Sequence, residues 1–292
     1  MRTYSTVRRL VAVTSCKGGV GKSTISANLA FRLASRGHRV GLFDADVHGP
    51  SLPTQIPGLT DRITLNNGGW SVAPLEYEGV KLMSFGWFAR TWGVVDGEVR
   101  GNAAPLVASL LHTTEWGELD YLVIDSPPGT GEVPRAIATR IPVHGALVVT
   151  TPSRLASVDV VRGIRMLTRL GVPIWAIVEN MSTFTCTGCG AEHHPFGRGH
   201  LEQVVAAVEQ PGGCPSIRLP IVADERTDSQ GVVAANSHIA PHFEALAAML
   251  EVASSCSTGA EAEPVTLPHK SIGGFHDMPH WPTVMATNEL YK

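Results

Sequence analysis

The sequence predicts an α/β protein in three layers, a mostly parallel sheet flanked by helices on both faces. Short apolar and β-branched segments alternate with amphipathic helical segments along most of the chain, which is the pattern of a parallel sheet. A glycine-rich segment, residues 15–24, directly follows the first strand and precedes the first helix. Of the 292 residues, 43% are hydrophobic and 17% are charged, so a large core is possible and a wholly disordered chain is excluded.

The elements follow one another in a regular order. The predicted strands are residues 10–14, 40–43, 121–124, 145–151 and 173–178. The predicted helices are residues 25–36, 103–112 and 158–170. Gly37 provides the stop signal of the first helix, and the stretch 49–74 is predicted to be irregular because it is rich in Gly and Pro.

We divide the chain into one α/β domain, residues 1–253, and an irregular C-terminal extension, residues 254–292. The extension is rich in Gly and Pro and has no periodic segment long enough for an element. It also contains aromatic residues that are expected to hold it on the body, Phe275 and Trp281, and three histidines, His269, His276 and His280. Because the histidines lack the spacing of metal ligands, we expect them to be solvated.

Charge and cysteine content narrow the functional classes. The net charge is −3 and no long basic block is present, so we expect no nucleic acid partner. No apolar run approaches the length of about 18 residues that suggests a membrane-spanning helix, so we expect no membrane partner. The five cysteines do not resemble a disulfide framework, and a reducing compartment fits them better. The first strand begins too early to leave room for a signal peptide, so the cytoplasm is the expected location.

The glycine-rich segment is a variant of the phosphate-binding loop G-x-x-x-x-G-K-[ST]. Residues 21–23 complete that pattern, but Cys16 stands in the position of its first glycine, and residues 17–19 add a second lysine and two glycines. Glycines let the backbone wrap its N–H groups around phosphate oxygens, and the N-terminus of the following helix favours the negative charge. The nucleotide-binding residues predicted here are Gly18, Gly19, Val20, Gly21, Lys22, Ser23 and Thr24.

Each polar group of this site has a predicted role. Lys22 reaches the β- and γ-phosphates, and the Ser23 hydroxyl is a ligand for Mg²⁺. Asp125, at the end of a hydrophobic strand, holds the magnesium through water, and Asp46, at the end of another strand, orients the attacking water. Thr130 is placed to sense the γ-phosphate. Together these residues predict a nucleotide hydrolase.

Cys186 and Cys189 form a CxxC pair on a loop beyond a strand, which directs both thiolates at one ion or cluster. Three interpretations stay open. A zinc knuckle would be completed by His193 and His194. A redox dithiol normally opens a helix in a thioredoxin-like unit, which is not the context here. A site shared across a two-fold axis would take two cysteines from each of two subunits. Cys16 and Cys214 are interpreted as loop or core residues, and Cys256 has no assigned role.

Several segments carry a resemblance to a known superfamily. Residues 17–24, 44–51 and 125–131 resemble the deviant-Walker ATPases, P-loop NTPases that include ParA, MinD, the nitrogenase iron protein and the Mrp-type iron–sulfur carriers. Residues 178–182, 186–189 and 196–199 are similar to the Mrp branch in particular. The resemblance covers about the first 250 residues. Ser126 and Glu132 depart from it, since relatives often have an apolar residue and Asp there.

The resemblance implies a specific activity. It makes Lys17 a catalytic residue that crosses a homodimer interface to the partner's nucleotide, and Asn180 the residue that contacts adenine. Cys186 and Cys189 would hold a [4Fe–4S] cluster that bridges the two subunits. The protein would bind and hydrolyse ATP with Mg²⁺ and transfer the cluster to apo-proteins. Because relatives also serve mitochondria and plastids, these compartments are the alternative location if a presequence has been removed.

Two rival functions are weighed against this one. A reductase similar to the nitrogenase iron protein needs a cysteine after the strand that ends at Asp125, and residues 126–128 provide none. The alternative that we retain is a ParA- or MinD-type ATPase switch with a structural zinc knuckle. Such switches use a basic surface or a basic amphipathic helix, whereas residues 238–252 contain no Lys or Arg.

Overall fold

The computed structural model confirms an α/β protein with a mostly parallel sheet and helices on both faces. It describes residues 5–56, 59, 63–66, 71–92, 103–210, 212–222, 237–256 and 264–267. The strands are β1 (Ser5–Ser15), β2 (Val40–Asp44), β3 (Leu65–Asn66), β4 (Ser71–Val72), β5 (Leu75–Tyr77), β6 (Val80–Ser84), β7 (Glu118–Asp125), β8 (Gly145–Thr150), β9 (Ile174–Glu179), β10 (Phe184–Thr185), β11 (Glu192–His193), β12 (Ser216–Arg218) and β13 (Val265–Leu267). The helices are α1 (Lys22–Ser35), α2 (Leu52–Gln55), α3 (Phe85–Trp92), α4 (Ala104–Thr113), α5 (Glu132–Arg140), α6 (Arg154–Arg169), α7 (Leu201–Ala206) and α8 (Ala240–Cys256).

The main sheet has the strand order β12-β9-β8-β1-β7-β2-β6-β5, with β13 added beside β1. All neighbours in it are parallel except β5, which is antiparallel to β6, and β13, which is antiparallel to β1. β1 is the central strand, and it is continuously buried over residues 10–15. Two short antiparallel pairs, β3–β4 and β10–β11, lie outside the main sheet.

The strands bury both faces because successive side chains point to opposite sides. Ala146 and Val148 of β8 belong to a core cluster with α6 and α7. Leu147 and Val149, the residues between and after them, belong to the larger cluster that includes α1 and α8. Helices therefore cover the sheet on both sides, as the continuous apolar strands predicted.

The parallel strands bring several loops to one edge of the sheet. The glycine-rich segment leaves the C-terminal end of β1, and Asn180 follows the end of β9. Asp44 and Asp125, the last residues of β2 and β7, are direct neighbours in the strand register. This edge, where the carboxyl ends of the strands meet, is the usual place for a ligand in an open α/β sheet.

The first strand and the stretch 49–74 differ from their predicted structure. The first strand starts at Ser5 rather than at residue 10, because Val7 is fully buried and the segment pairs with β7. The stretch 49–74, predicted to be irregular, contains α2 and the β3–β4 pair among its described residues. A four-residue helix and two-residue strands are too short to show a hydrophobic period, so the composition alone suggested a loop.

The C-terminal extension, predicted to be irregular from residue 254, is also ordered in part. α8 continues to Cys256, and β13 pairs with β1 through Val265–Leu267. β7 pairs with β1 along one edge. On the other edge of β1, β8 pairs with residues 11–15 and β13 pairs with residues 5–7. A strand of three residues gives no periodic signal in the sequence. In the structure its last residue, Leu267, is buried. The tail histidines and aromatic residues lie outside the described residues.

Candidate functional site

The phosphate loop leads directly into α1. Gly21 has a left-handed backbone, φ 83°, and α1 begins at the next residue, Lys22. The loop packs closely against Asn180, because a Cβ at Gly21 would overlap the Asn180 amide. Among the described residues none gives a side-chain cap to the first turn of α1. The N–H groups of this turn are therefore available to an anion such as a phosphate.

Lys22, Ser23 and Asp125 come together in the structure. The Lys22 ammonium lies 2.6 Å from Oδ1 of Asp125, and only 7% and 3% of these two residues are exposed. Lys22 also donates to the Ser23 hydroxyl at 3.2 Å, and the Ser26 hydroxyl donates to Asp125 at 2.7 Å. A hydroxyl and a carboxylate beside a phosphate loop are the oxygen ligands that suit Mg²⁺.

Asp44 is a buried acidic residue to which the sequence patterns assign no role. Its carboxylate accepts hydrogen bonds from the backbone N–H groups of Asp46, Ser51 and Leu52 and from the Ser84 hydroxyl, at 3.0–3.1 Å. Burial, and next the neighbouring charge of Asp125, raise the pKa of Asp44 well above its ordinary value. The Asp-Ala-Asp sequence at the strand end was the signal that could have indicated it. The first Asp, Asp44, is buried, and the second, Asp46, lies on the loop.

Asp46 and Thr130 lie on loops at the same edge of the sheet. Oδ1 of Asp46 accepts a hydrogen bond from the Gly49 N–H at 3.0 Å, which fixes the side chain in a tight turn. Thr130 is exposed in the loop between β7 and α5. Neither residue touches the Lys22–Asp125 pair through a described hydrogen bond. Their predicted roles concern a bound nucleotide.

Lys17 is oriented differently from Lys22. Its ammonium lies 3.9 Å from Oδ2 of Asp159 on α6, and both side chains are 35% exposed. The preceding residue, Cys16, packs so closely on α6 that a Cβ at Gly163 would overlap its sulfur. Burial raises the pKa of the Cys16 thiol to about 11, so this cysteine is a packing residue, as predicted.

Asn180 joins the phosphate loop to the end of β9. Its side-chain nitrogen donates to the carbonyl oxygen of Val20 at 2.9 Å, and its backbone N–H donates to Thr150 at 2.9 Å. The side chain is half-buried, in contact with the loop. The residue predicted to contact adenine therefore lies beside the predicted phosphate-binding residues.

Cys186 and Cys189 lie at the tip of a hairpin formed by β10 and β11. The Cys186 N–H donates to Ala191 at 2.9 Å, and the Gly190 N–H donates back to Cys186 at 2.8 Å, which closes the turn. Cys189 is exposed and Cys186 is partly exposed. Hydrogen bonds from the backbone of Cys189 and Gly188 lower the pKa of the Cys186 thiol, which favours its thiolate. Both cysteines are accessible to a ligand from solvent.

The two histidines beside the cysteines are arranged differently from a zinc site. His193 packs near the Phe184 ring, and His194 Nε2 is 3.7 Å from Glu192. His194 Nδ1 is buried without a hydrogen-bond partner among the described residues. Across the described ranges, no three His, Cys, Asp or Glu side chains are grouped so that they could hold a metal ion. One copy therefore presents two sulfur ligands here.

The phosphate loop at the carboxyl edge of a parallel sheet, with Lys22 and Asp125 beside it, defines a P-loop NTPase. The profile of the NUBPL iron-transfer P-loop NTPase family, a ParA family, matches residues 6–252. The chain belongs to the NUBPL iron-transfer P-loop NTPase family.

Named relatives share this part of the chain. The chloroplastic Fe-S cluster assembly factor HCF101 of Arabidopsis thaliana is 47% identical over 201 residues, which are 69% of this chain and 37% of that protein. The iron-sulfur cluster carrier protein of Escherichia coli K12 is 42% identical over 204 residues, 68% of this chain and 53% of that protein. The carrier protein of Pseudomonas fragi is 42% identical over 202 residues, 68% of this chain and 69% of that protein. The matched region is thus about a third to a half of the first two relatives.

Solved structures agree on the fold. A nucleotide-binding protein from Archaeoglobus fulgidus, in complex with ADP, matches with a TM-score of 0.62 and 29% identity, over 84% of this chain and 89% of that one. The septum site-determining protein MinD of Pyrococcus horikoshii, complexed with Mg-ADP, matches with a TM-score of 0.59 and 20% identity, over 86% and 99%. The second likeness concerns the fold alone. Within the described part of the chain, no helix is long and apolar enough to cross a membrane.

Proposed function

We propose that the protein is an ATP-hydrolysing carrier that holds a [4Fe–4S] cluster between two copies of the chain and transfers it to apo-proteins. The observation that carries this proposal is the solvent-accessible pair Cys186 and Cys189, which offers half of a four-thiolate site in a chain that also has a phosphate loop. Membership in an iron-transfer family and relatives named as iron–sulfur carriers support it.

The nucleotide site would act through its own residues. The N–H groups of the first turn of α1 bind phosphate oxygens, and Lys22 exchanges Asp125 for the β- and γ-phosphates. Ser23 and Asp125 would hold Mg²⁺, which supplies charge neutralisation on the phosphates when it is bound. Asp46 would orient the water that attacks the γ-phosphorus, so that the bond to ADP breaks and phosphate leaves.

Lys17 would complete the site of a second copy. Its ion pair with Asp159 is long, 3.9 Å, and about one third of each side chain is exposed. Such a pair contributes little, about 0–1 kcal/mol, and is therefore easily exchanged for a phosphate. In such a homodimer, Lys17 of each copy would contact the phosphates bound by the other copy, so the two nucleotide sites would lie face to face. Hydrolysis would then depend on dimer formation.

The cluster is the cargo of this protein, so its site must both hold it and release it. Two chains supply four thiolates, the number that a [4Fe–4S] cluster needs. An exposed hairpin tip lets an acceptor protein reach the cluster directly. Because the matched region covers only part of the longer relatives, the client proteins are proposed by class: apo-proteins that take a [4Fe–4S] cluster.

Anaerobic cluster transfer tests this function. We would reconstitute the protein with iron and sulfide, add an apo-enzyme that requires a [4Fe–4S] cluster, and follow recovery of its activity. Cys186→Ser and Cys189→Ser should each abolish transfer, whereas the neighbouring His193→Ala and His194→Ala should transfer as the unchanged protein does. Transfer that survives loss of either cysteine would exclude the proposed cluster site.

A second candidate has one observation in its favour. A ParA- or MinD-type switch with a zinc knuckle would use His194, whose Nδ1 is buried without a partner among the described residues. The lack of a third grouped ligand in those residues favours the carrier instead. Tightly bound zinc that is lost in His194→Ala would support the switch.

For location we propose a reducing compartment, the cytoplasm first and a plastid or mitochondrion as the alternative. Thiolates that bind a cluster must stay reduced, and the Arabidopsis relative is named as chloroplastic. The distribution of a fluorescent fusion in cells of the source organism, compared with compartment markers, decides between them.

A further inference from the structure

The two candidate sites are connected by a short series of contacts at the end of β9. On one side, Asn180 donates to the Val20 carbonyl of the phosphate loop at 2.9 Å. On the other side, the chain runs from Asn180 directly into the hairpin that carries the two cysteines. The residue before Asn180 is Glu179, whose side chain is only 2% exposed. A buried carboxylate at this junction requires partners.

The chain returns from the hairpin over Glu179. Gly199 lies so close to this side chain that a Cβ there would overlap the carboxylate. Its backbone is left-handed, φ 82°, which a residue with a side chain adopts only with strain. The segment between the hairpin and α7 is therefore seated on the residue next to Asn180.

Arg218 fixes Glu179 from the neighbouring strand, β12. Its Nε donates to the Glu179 carboxylate at 2.9 Å, and its Nη2 lies 3.5 Å from Glu202 in the first turn of α7. The Leu219 N–H also donates to the Glu179 carbonyl at 3.0 Å. Both ends of the hairpin segment thus meet Glu179. The chain that enters the hairpin starts at the adjacent Asn180, and the chain that leaves it contacts the Glu179 side chain at Gly199.

We propose that Glu179 is a positioning residue that couples nucleotide occupancy at Asn180 to the position of the cysteine hairpin. The inference rests on the proposed contact of Asn180 with adenine. Adenine bound to the Asn180 amide oxygen and to its second N–H would turn this side chain relative to the Val20 carbonyl, which would give this junction two alternative arrangements. Because Gly199 has no free space over Glu179, a shift of the Asn180 and Glu179 backbone displaces the returning leg.

Thiol reactivity in the cluster-free full chain tests this coupling. We would measure the rates at which iodoacetamide alkylates Cys186 and Cys189, with and without Mg-ADP, by peptide mass spectrometry, using the exposed Cys256 as an internal reference. Mg-ADP should change the rates at the hairpin by about fivefold or more, the lower range of coupling between sites. In Gly199→Ala this nucleotide effect should disappear while ADP still binds, because Gly199 is not among the proposed nucleotide-binding residues. The Kd for ADP should change by no more than the same factor, since coupling between two sites is reciprocal.

Gly197→Ala is the matched control. Gly197 also has a left-handed backbone, φ 92°, but a Cβ there meets no atom within 4 Å. It carries the same backbone strain without the contact on Glu179, so it should keep the nucleotide effect. If Gly199→Ala does not fold, Arg218→Gln, which weakens the other partner of Glu179, should lose the effect instead.

The coupling is overturned if Mg-ADP binds but leaves the hairpin rates of the unchanged protein as they were. It is also overturned if Gly199→Ala keeps the effect, or if Gly197→Ala loses it equally. Since no cluster is present in these measurements, such a result would leave the carrier function standing. Failure of the carrier function would instead be seen in the iron content of the reconstituted protein, which this experiment does not use.

Discussion

Lys22 and Asp125 form a buried ion pair, with 2.6 Å between the ammonium nitrogen and Oδ1. The pair connects the start of α1 to the end of β7, and it holds the lysine at the centre of the candidate nucleotide site. A buried pair is costly to break on one side only, because the remaining charge then lacks a partner. The same two residues are therefore expected to matter for stability as well as for hydrolysis.

Lys22→Ala should reduce ATP hydrolysis by about 10²–10³-fold, through loss of one electrostatic contact to the phosphates. It should also lower the free energy of unfolding by about 3–5 kcal/mol, because Asp125 stays buried without its cation. Phosphate release and urea denaturation measure the two effects. In the double variant Lys22→Ala/Asp125→Asn, stability should recover in part and hydrolysis should not. Unchanged turnover in Lys22→Ala would refute the phosphate-loop assignment.

Asp46→Asn should bind ATP as the unchanged protein does and lose hydrolysis. The asparagine keeps the side-chain oxygen that accepts the Gly49 N–H bond, so the turn should persist, and only the orientation of water is affected. Equilibrium binding of a fluorescent ATP analogue and phosphate release separate these properties. If binding and hydrolysis fall together, Asp46 has a structural role instead.

Stability in acid should depend on Glu251 of α8. Hydrogen bonds from Arg36 and then from His38 lower the pKa of Glu251 from 4.5 to about 2. The stabilisation is thus complete above the unfolded-state pKa and is lost as the pH falls from about 4.5 to about 2. Glu251→Gln should lower the free energy of unfolding by about 1 kcal/mol or less near pH 7, and it should flatten the decline in acid.

Chemical denaturation at several pH values measures this effect. Glu209→Gln is the control, since Glu209 is an exposed glutamate outside the Glu251 ion pairs. Its pH profile should match that of the unchanged protein. If the stability of Glu251→Gln declines in acid as steeply as that of the unchanged protein and of Glu209→Gln, Glu251 is not the source of the acid dependence.

β13 should contribute to stability through one side chain. Leu267 is 1% exposed and lies opposite Ser5 of β1, so Leu267→Ala should lower the free energy of unfolding by about 2–5 kcal/mol. The neighbouring Thr266 is exposed on the same strand, so Thr266→Ala should have a much smaller effect. Equal losses in the two variants, measured by urea denaturation, would mean that the strand does not hold Leu267 in the core.

Much of the fold could be predicted because its signals are local. The buried strands are continuous apolar runs, and the phosphate loop is one segment in which Lys22 and Ser23 are adjacent. The order of the loops at one sheet edge then follows from parallel pairing, which brings Asp125 to Lys22. The CxxC pair is also a local signal, since Cys186 and Cys189 are three positions apart in the sequence.

The remaining features depend on contacts between distant segments. The Asp44 carboxylate accepts hydrogen bonds from Ser51, Leu52 and Ser84, and the distant Ser84 belongs to none of the segments that resemble the superfamily. The Lys17–Asp159 pair joins residues 142 positions apart in sequence, and β13 is too short for any period to appear. Such features arise from tertiary packing, which single-sequence patterns do not contain.

Metal content per chain, measured with the native mass, tests whether two copies of the chain share one cluster. After anaerobic reconstitution, we expect a homodimer with one [4Fe–4S] cluster, hence about two irons per chain, and no metal in Cys186→Ser or Cys189→Ser. His193→Ala and His194→Ala should keep the full iron content. One tightly held zinc per monomeric chain, lost when either histidine is changed, would exclude the shared cluster and indicate a zinc knuckle.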